Sequence, residues 1–218
     1  MMNNNPNHIL VVANGESPSS SLFHRLLKEH SKLVAVDGGL HSCLCYNVEP
    51  DILIGDFDSI SEDTRSQLSK TLQIHTPDQG KSDLEKALEY LFHEANDATA
   101  ITVCGALGKR LDHTLTNMCL LCRYPGKVKF ETDTEWSMAL PRSYTFTSEK
   151  GQLLSLIAMG APAQGVVTQG LKWELKGATL NKSFVSISNV CLGKLVSITF
   201  TSGDLVACLA KEEISVSI

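Results

Sequence analysis

Apolar residues in the first part of the chain come in short runs, at 9–13, 33–36, 52–54, 72–74, 100–104 and 128–130. Most are apolar on both faces, as strands buried in a parallel sheet are. The stretches between them have helical spacing. Ser17 followed by Pro18 predicts a helix N-cap with proline at the first helical position, and Ser82-Asp83-Leu84-Glu85 has the form of a capping box. Beyond Ser82, the residues Leu84, Ala87, Leu88, Leu91 and Ala95 make one apolar stripe, so a helix is expected there. Near residue 135 the pattern changes. From Trp136 onward, β-like runs at 153–157, 165–168, 184–188, 195–200 and 205–209 alternate with glycine and polar turns, and no helical stretch interrupts them. The expected fold class is α/β: an N-terminal, parallel-sheet, Rossmann-like domain over residues 1–135, then a small all-β sandwich or barrel over 136–218. Pro141 and Arg142 lie close to the expected junction.

A length of 218 residues suits two modest domains, and 43% hydrophobic with 20% charged residues is an ordinary globular composition. The net charge of -5 argues against nucleic acid or an anionic membrane as the main partner, which leaves a small molecule. There is no apolar run of about 18 residues, and residues 1–6 lack a basic segment followed by an apolar one. Neither a membrane span nor a signal peptide is therefore expected, and the expected location is cytoplasmic. The 7 cysteines sit mostly inside apolar runs and read as reduced core thiols. Cys119 and Cys122 have C-x-x-C spacing, but no second pair completes a zinc site.

The acids carry the chemistry. Asp37 follows one expected strand, Asp56 and Asp58 follow the next, the Thr76 to Asp83 loop follows a third, and Asp112 follows a fourth after a glycine loop. In an open parallel sheet ligands bind beyond the carboxyl ends of the strands, so these loops deliver carboxylates to one rim. Carboxylates so gathered repel one another unless a cation compensates them, and their hard oxygens suit Mg²⁺ holding a polyphosphate. On an extended Asp56-Phe57-Asp58 segment both acids point one way and Phe57 the other. Taken singly, each Asp also fits a turn or cap, Asp83 at a helix N-terminus above all. The loop Gly105-Ala106-Leu107-Gly108-Lys109-Arg110 suits an anion, with Arg110 as a planar fork, although it lacks the spacing of a Walker A loop. Asp37-Gly38-Gly39 and His113 are weaker signals; a capping or core role is the alternative for the histidine.

Together these residues resemble one family, the thiamine pyrophosphokinases. The matching blocks are Asp37-Gly38-Gly39, Pro50-Asp51 with Gly55-Asp56-Phe57-Asp58-Ser59, and Pro77-Asp78-Gln79 through Ser82-Asp83-Leu84-Glu85-Lys86-Ala87-Leu88. They continue with Gly105 to Gly108, Arg110-Leu111-Asp112-His113 and Asn117, then Gly170-Leu171-Lys172-Trp173-Glu174-Leu175 and Ser186 to Asn189. The resemblance implies a homodimer that transfers the pyrophosphoryl group of ATP to thiamine and releases AMP, with active sites shared between chains. It implies that Asp56, Asp58 and Asp83 hold Mg²⁺ and are catalytic with Arg110 and Asp112. Asp37, Gly38, Lys81, Gly105, Gly108 and Lys109 would join Arg110 on the nucleotide, while Gln79, Ser188 and Asn189 would meet thiamine. Trp173 lies in one matching block, with a core aromatic as its alternative. The chain departs from the pattern at Lys109, where a second glycine is common, and at Val190, where an acid is common.

Two other readings stand beside this one. The run Ile52 to Ser59 resembles the strand-then-D-x-D pattern of haloacid-dehalogenase-type phosphatases, with Asp56 as nucleophile and Asp58 as acid/base, but it follows the third strand rather than the first. A nucleotide- or thiamine-binding regulatory module without turnover is the non-catalytic alternative.

Overall fold

The computed structural model describes residues 8–94 and 99–211. Ala95, the last position of the expected helical stripe, and residues 1–6, read above for a leader, lie outside them. The chain forms a mixed α/β fold that divides into two compact units. One runs up to Asn117 and includes Phe130–Asp133, and the other comprises Met118–Lys129 and the chain from Thr134 onward.

In the first unit, β1 (His8–Val12), β2 (Lys32–Val36), β3 (Ile52–Gly55), β4 (Leu72–His75) and β5 (Ala100–Cys104) pair in parallel in the order β5-β1-β2-β3-β4. Each inner strand is buried on both faces, which is why it reads as a continuous apolar run. The outermost strand, β4, departs from that expectation. Leu72 is 56% exposed, because a strand at the sheet edge has a neighbour on one side alone. Helix α1 (Ser20–Glu29) turns Leu22, Phe23 and Leu26 onto the sheet, and burying the Phe23 side chain alone contributes about 1.5–3 kcal/mol. Its cap is Ser19 rather than Ser17: the Ser19 hydroxyl accepts from the Leu22 N–H at 3.2 Å, while Ser17 is spent on the Ser42 hydroxyl. Short α2 (Gly39–Cys45) and α3 (Glu62–Ser66) follow β2 and β3. Helix α4 (Asp83–Glu94) lies where the stripe predicts it, with Leu84, Ala87, Leu88 and Leu91 buried and the Ser82 hydroxyl accepting from Glu85 N–H at 3.3 Å. Helix α5 (Leu111–Leu121) follows β5, and β6 (Val128–Glu131) follows α5.

The second unit contains β7 (Glu135–Ala139), β8 (Ser143–Ala158), β9 (Ala163–Gln169), β10 (Lys176–Leu180), β11 (Ser186–Thr199) and β12 (Leu205–Ala210). They pair antiparallel in the order β10-β9-β11-β8-β12-β7, and among the described residues no helix follows α5. Alternating residues of these strands, such as Leu154, Leu156, Val166, Val196, Ile198 and Ala207, close one apolar core. Two strands run longer than their apolar pattern: β8 spans 16 residues and β11 joins two expected runs into 14. The thiols are free, with Cys43, Cys104 and Cys191 buried as expected but Cys45 and Cys119 exposed. Among the described residues no helix is long and apolar enough to cross a membrane.

Candidate active site

Strand ends and their turns set the acids. Asp37 directly follows β2 in a left-handed conformation (φ 43), with its N–H donating to the Ile54 carbonyl at 2.8 Å. Gly55 at the end of β3 leaves the space Asp37 occupies, since a Cβ there would lie 3.0 Å from the Cβ of Asp37. The next three residues do not extend as expected. Phe57 has φ 66, an outlier for a bulky side chain, and the Asp58 N–H donates to Asp56 Oδ1 at 3.2 Å. A turn, and not strand pleating, brings the two carboxylates together. The Phe57 ring holds that turn through the Arg65 guanidinium, 4.9 Å from its centroid, and the His75 ring at 5.4 Å.

Carboxylate oxygens of Asp37, Asp56 and Asp58 all lie within 4.8 Å of one another. Asp37 is 4% exposed, and its Oδ1 is buried with no hydrogen-bond partner. A buried carboxylate oxygen left unpaired is costly, and an all-oxygen donor set is what Mg²⁺ takes, so these residues fit such an ion. Asp83, expected beside Asp56 and Asp58, does not join this triplet. Its Oδ1 lies 2.6 Å from Lys86 Nζ, one helical turn on. Desolvation raises the Asp83 carboxyl above its ordinary range against the pull of Lys86, and the charges of Asp56 and Asp37 add to the rise. Desolvation also pushes Asp56 upward, but hydrogen bonds from Asp58 N–H and Gln79, with the Lys86 charge, outweigh it and leave Asp56 lowered. Lys86, absent from the expected site residues, is 7% exposed and donates to the carbonyls of Thr76 at 2.9 Å and Asp78 at 3.1 Å. The available signal was its i,i+3 spacing from Asp83.

Beside the acids lies a cavity of about 450 Å³. Asp37, Asp58 and Asp83 line it together with Gly105, Gly108, Lys109, Arg110 and His113. The β1 and β5 loops interlock under it: Gly15 N–H donates to the Gly105 carbonyl at 2.6 Å and Glu16 N–H to the Leu107 carbonyl at 2.7 Å. Side chains on Gly15 or Gly105 would collide with the facing backbone. His113 is exposed on this lining rather than in a core. Arg110 pairs with Asp112 at 2.5 Å on the surface, and that hydrogen bond holds the Asp112 carboxyl at about 2. Gln79 donates to Asp56 Oδ2 at 3.1 Å. Two expected nucleotide residues are not on the lining. Gly38 underlies the Asn14 side chain, which a Cβ would strike, and Lys81 sits 2.7 Å from Glu89 on a separate surface.

In the second unit Ser188 has φ 55 and falls where the β11–β8 register slips, in a bulge that re-aims its side chain. The neighbouring Asn189 is not free for a ligand as expected. It is 3% exposed and clamps Trp173: its Oδ1 accepts from Trp173 N–H at 3.1 Å and its Nδ2 donates to the Trp173 carbonyl at 2.6 Å. Trp173 is not a core aromatic either, being 55% exposed with Lys172 Nζ 4.7 Å above its ring. Asn189→Ala should cost about 2 kcal/mol by orphaning these backbone groups, lowering the unfolding midpoint by roughly 4–8 °C in a thermal melt. An unchanged midpoint would contradict the clamp.

Among protein-family models, one described as "Thiamin pyrophosphokinase, catalytic domain" matches residues 23–133, and one described as "Thiamin pyrophosphokinase, vitamin B1 binding domain" matches residues 143–205. The chain belongs to the thiamin pyrophosphokinase family. Thiamine pyrophosphokinase 1 of Arabidopsis thaliana is 28% identical to it, over 97% of this chain and 89% of the relative. The thiamine pyrophosphokinase of Bacillus subtilis (strain 168) is 26% identical, over 91% of this chain and 96% of the relative. The fold is that of the solved structures of thiamine pyrophosphokinase from Bacillus subtilis (TM-score 0.80, 23% identity, 94% of this chain and 99% of that one) and thiamin pyrophosphokinase from Candida albicans (TM-score 0.79, 20% identity, 94% and 89%). The family match does not favour the phosphatase reading. Asn14 and Gly15, absent from the expected site residues, also line the cavity; they follow the first parallel strand at its carboxyl end, where open α/β sheets bind ligands.

Proposed function

We propose that this chain, a transferase that makes thiamine diphosphate, does so by passing the pyrophosphoryl group of ATP to the hydroxyl of thiamine and releasing AMP. The observation that carries the reading is the Asp37, Asp56 and Asp58 triplet beside a glycine-lined cavity with a basic lip, in a chain matched along both of its parts by the family. We read residues 1–135 as the nucleotide- and metal-binding α/β domain and 136–218 as a thiamine-binding β-sandwich.

Mg²⁺ would be held by Asp37, Asp56 and Asp58, with Asp83 at the margin, and when bound it neutralises polyphosphate charge. Gly105 and Gly108 let the phosphates approach the backbone closely, and Arg110 is free to leave the solvated Asp112 for a phosphate oxygen. Gln79 in the first unit and Ser188 in the second are the proposed thiamine contacts, and the thiamine hydroxyl would attack the β-phosphorus in line with AMP as leaving group. A loose phosphoryl-transfer transition state asks little of a base, so positioning and charge neutralisation suffice without assigning one Asp to the proton.

A homodimer, supported by the exposed Ile187, Leu192 and Leu195 on β11, and active sites shared between its chains belong to the same proposal; sedimentation equilibrium tests the dimer. A cytoplasmic location belongs to it as well. Incubating the protein with ATP, Mg²⁺ and thiamine should yield thiamine diphosphate and AMP in equal amounts by mass spectrometry. ADP with thiamine monophosphate would reject pyrophosphoryl transfer, and ATP binding without product would leave the regulatory module.

A further inference from the structure

Lys109 sits where an L-residue is strained. Its φ is 56, directly after Gly108 at φ 82, and the left-handed region costs a side-chain-bearing residue free energy that glycine does not lose. Some benefit has to offset that cost. Packing does not supply it, because Lys109 is exposed. An ion pair does not supply it either. Among the described residues the Lys109 ammonium meets the Asn14 carbonyl at 3.2 Å and Asn14 Oδ1 at 3.4 Å, both neutral oxygens at long distance, and no carboxylate. The β1 and β5 loops it bridges are already tied by two shorter backbone hydrogen bonds, at 2.6 and 2.7 Å. The side chain lines the cavity, across which stand Asp37, Asp58 and Asp83. A flexible ammonium resting on weak neutral acceptors at the mouth of a glycine-lined cavity is a charge held ready for a stronger acceptor, and a phosphate oxygen is one.

We propose that Lys109 is a phosphate-positioning residue that rests on Asn14 in the nucleotide-free chain and transfers its ammonium to the polyphosphate tail of the nucleotide, the strained backbone being the cost of a cation at that place. This rests on the nucleotide reading of the cavity, for which Lys109 is already an expected contact, and adds to it the resting place on Asn14 and a trade of stability for affinity. The two quantities should therefore move in opposite directions on substitution. Lys109→Gly relaxes the backbone and removes the charge; Lys109→Met keeps the strain and removes the charge; Lys109→Arg keeps both.

The test measures calorimetric binding of Mg-ATP, AMP and adenosine without thiamine, together with thermal melts. For Lys109→Gly the midpoint should stay level or rise by a few degrees, while Mg-ATP binding weakens about ten- to a hundredfold, as loss of a charge-assisted hydrogen bond does. Adenosine binding should be unchanged and AMP binding less affected than Mg-ATP binding. Lys109→Met should lose the same affinity without the gain in midpoint, and Lys109→Arg should recover most of it. A lowered midpoint with unchanged Mg-ATP affinity in Lys109→Gly would make Lys109 a loop tie and overturn the proposal. Equal weakening for adenosine and Mg-ATP would overturn it too. If the parent protein bound Mg-ATP no better than adenosine, the nucleotide reading of the cavity would fail first, and that result is visible in the parent alone.

Discussion

Asp58→Asn should leave the fold intact and lower kcat by a factor on the order of 10²–10³, the scale at which removing one preorganised charge-stabilising group acts. The substitution is nearly isosteric. Asp58 is exposed, and the bond its Oδ1 accepts from Ser59 Oγ at 3.0 Å can be kept by an amide oxygen, so what disappears is charge. With EDTA present the variant should melt no lower than the parent, because one of three mutually repelling carboxylates has gone. With Mg²⁺ present the parent should gain stability that the variant lacks. Asp51 is the control. Its Oδ2 accepts from Leu33 N–H at 2.7 Å, so Asp51→Ala should lose stability yet keep its activity per folded molecule. An Asp58→Asn protein that melts well below the parent and retains its turnover would remove Asp58 from the site.

The largest loss of stability is expected at Lys86. Lys86→Met leaves the Asp83 carboxylate without its ion-pair partner and the carbonyls of Thr76 and Asp78 without their donor. Removing one partner of a fully buried ion pair costs about 3–5 kcal/mol, and with a third of the Asp83 side chain exposed the cost here should be about 2–3 kcal/mol. For a chain of this length that is roughly 5–10 °C in the midpoint. The carbonyls it releases belong to the loop that carries Gln79, so KM for thiamine should rise more than KM for ATP. A second substitution separates the two effects: Lys86→Met with Asp83→Leu removes the uncompensated charge and should regain most of the stability but not the activity. Loss of stability with unchanged kinetics would limit Lys86 to a structural part.

Apolar runs made the inner parallel strands legible, because a strand covered on both faces has no reason to carry polar residues. They misrepresented β4, whose edge position is a property of strand order and not of its own residues. In the second unit, Ser143–Ala158 reads S-Y-T-F-T-S-E-K in its first half: Tyr144 and Phe146 alternate with hydroxyls, but polar Ser148, Glu149 and Lys150 then break the apolar alternation before it resumes at Leu153, so one strand reads as only its apolar second half. At the site, chain position revealed that Asp37, Asp56, Asp58 and Asp83 approach one rim. It did not reveal the partition among them, since a φ of 66 at Phe57 and the reach of Lys86 toward Asp83 depend on tertiary packing. Asn189 shows the same limit. A polar residue next to Ser188 looks available until the segment that folds over it is known.

The edge position of β4 also ranks the parts of the sheet by how readily they open. Strand β4 has four residues and a single neighbour, so local fraying starts there and reaches β1, which is paired on both sides, only when the whole unit unfolds. Thr76 N–H donates to the Gly55 carbonyl, and the loop beyond Thr76 supplies Gln79 to Asp56. Each such opening therefore withdraws Gln79 from the carboxylates while β2 still presents Asp37. With Gln79 on thiamine, as proposed above, such an opening would loosen the grip on the acceptor without exposing the core, and amide protons at Leu72 and Thr76 should exchange with solvent long before those of Leu10 and Val11.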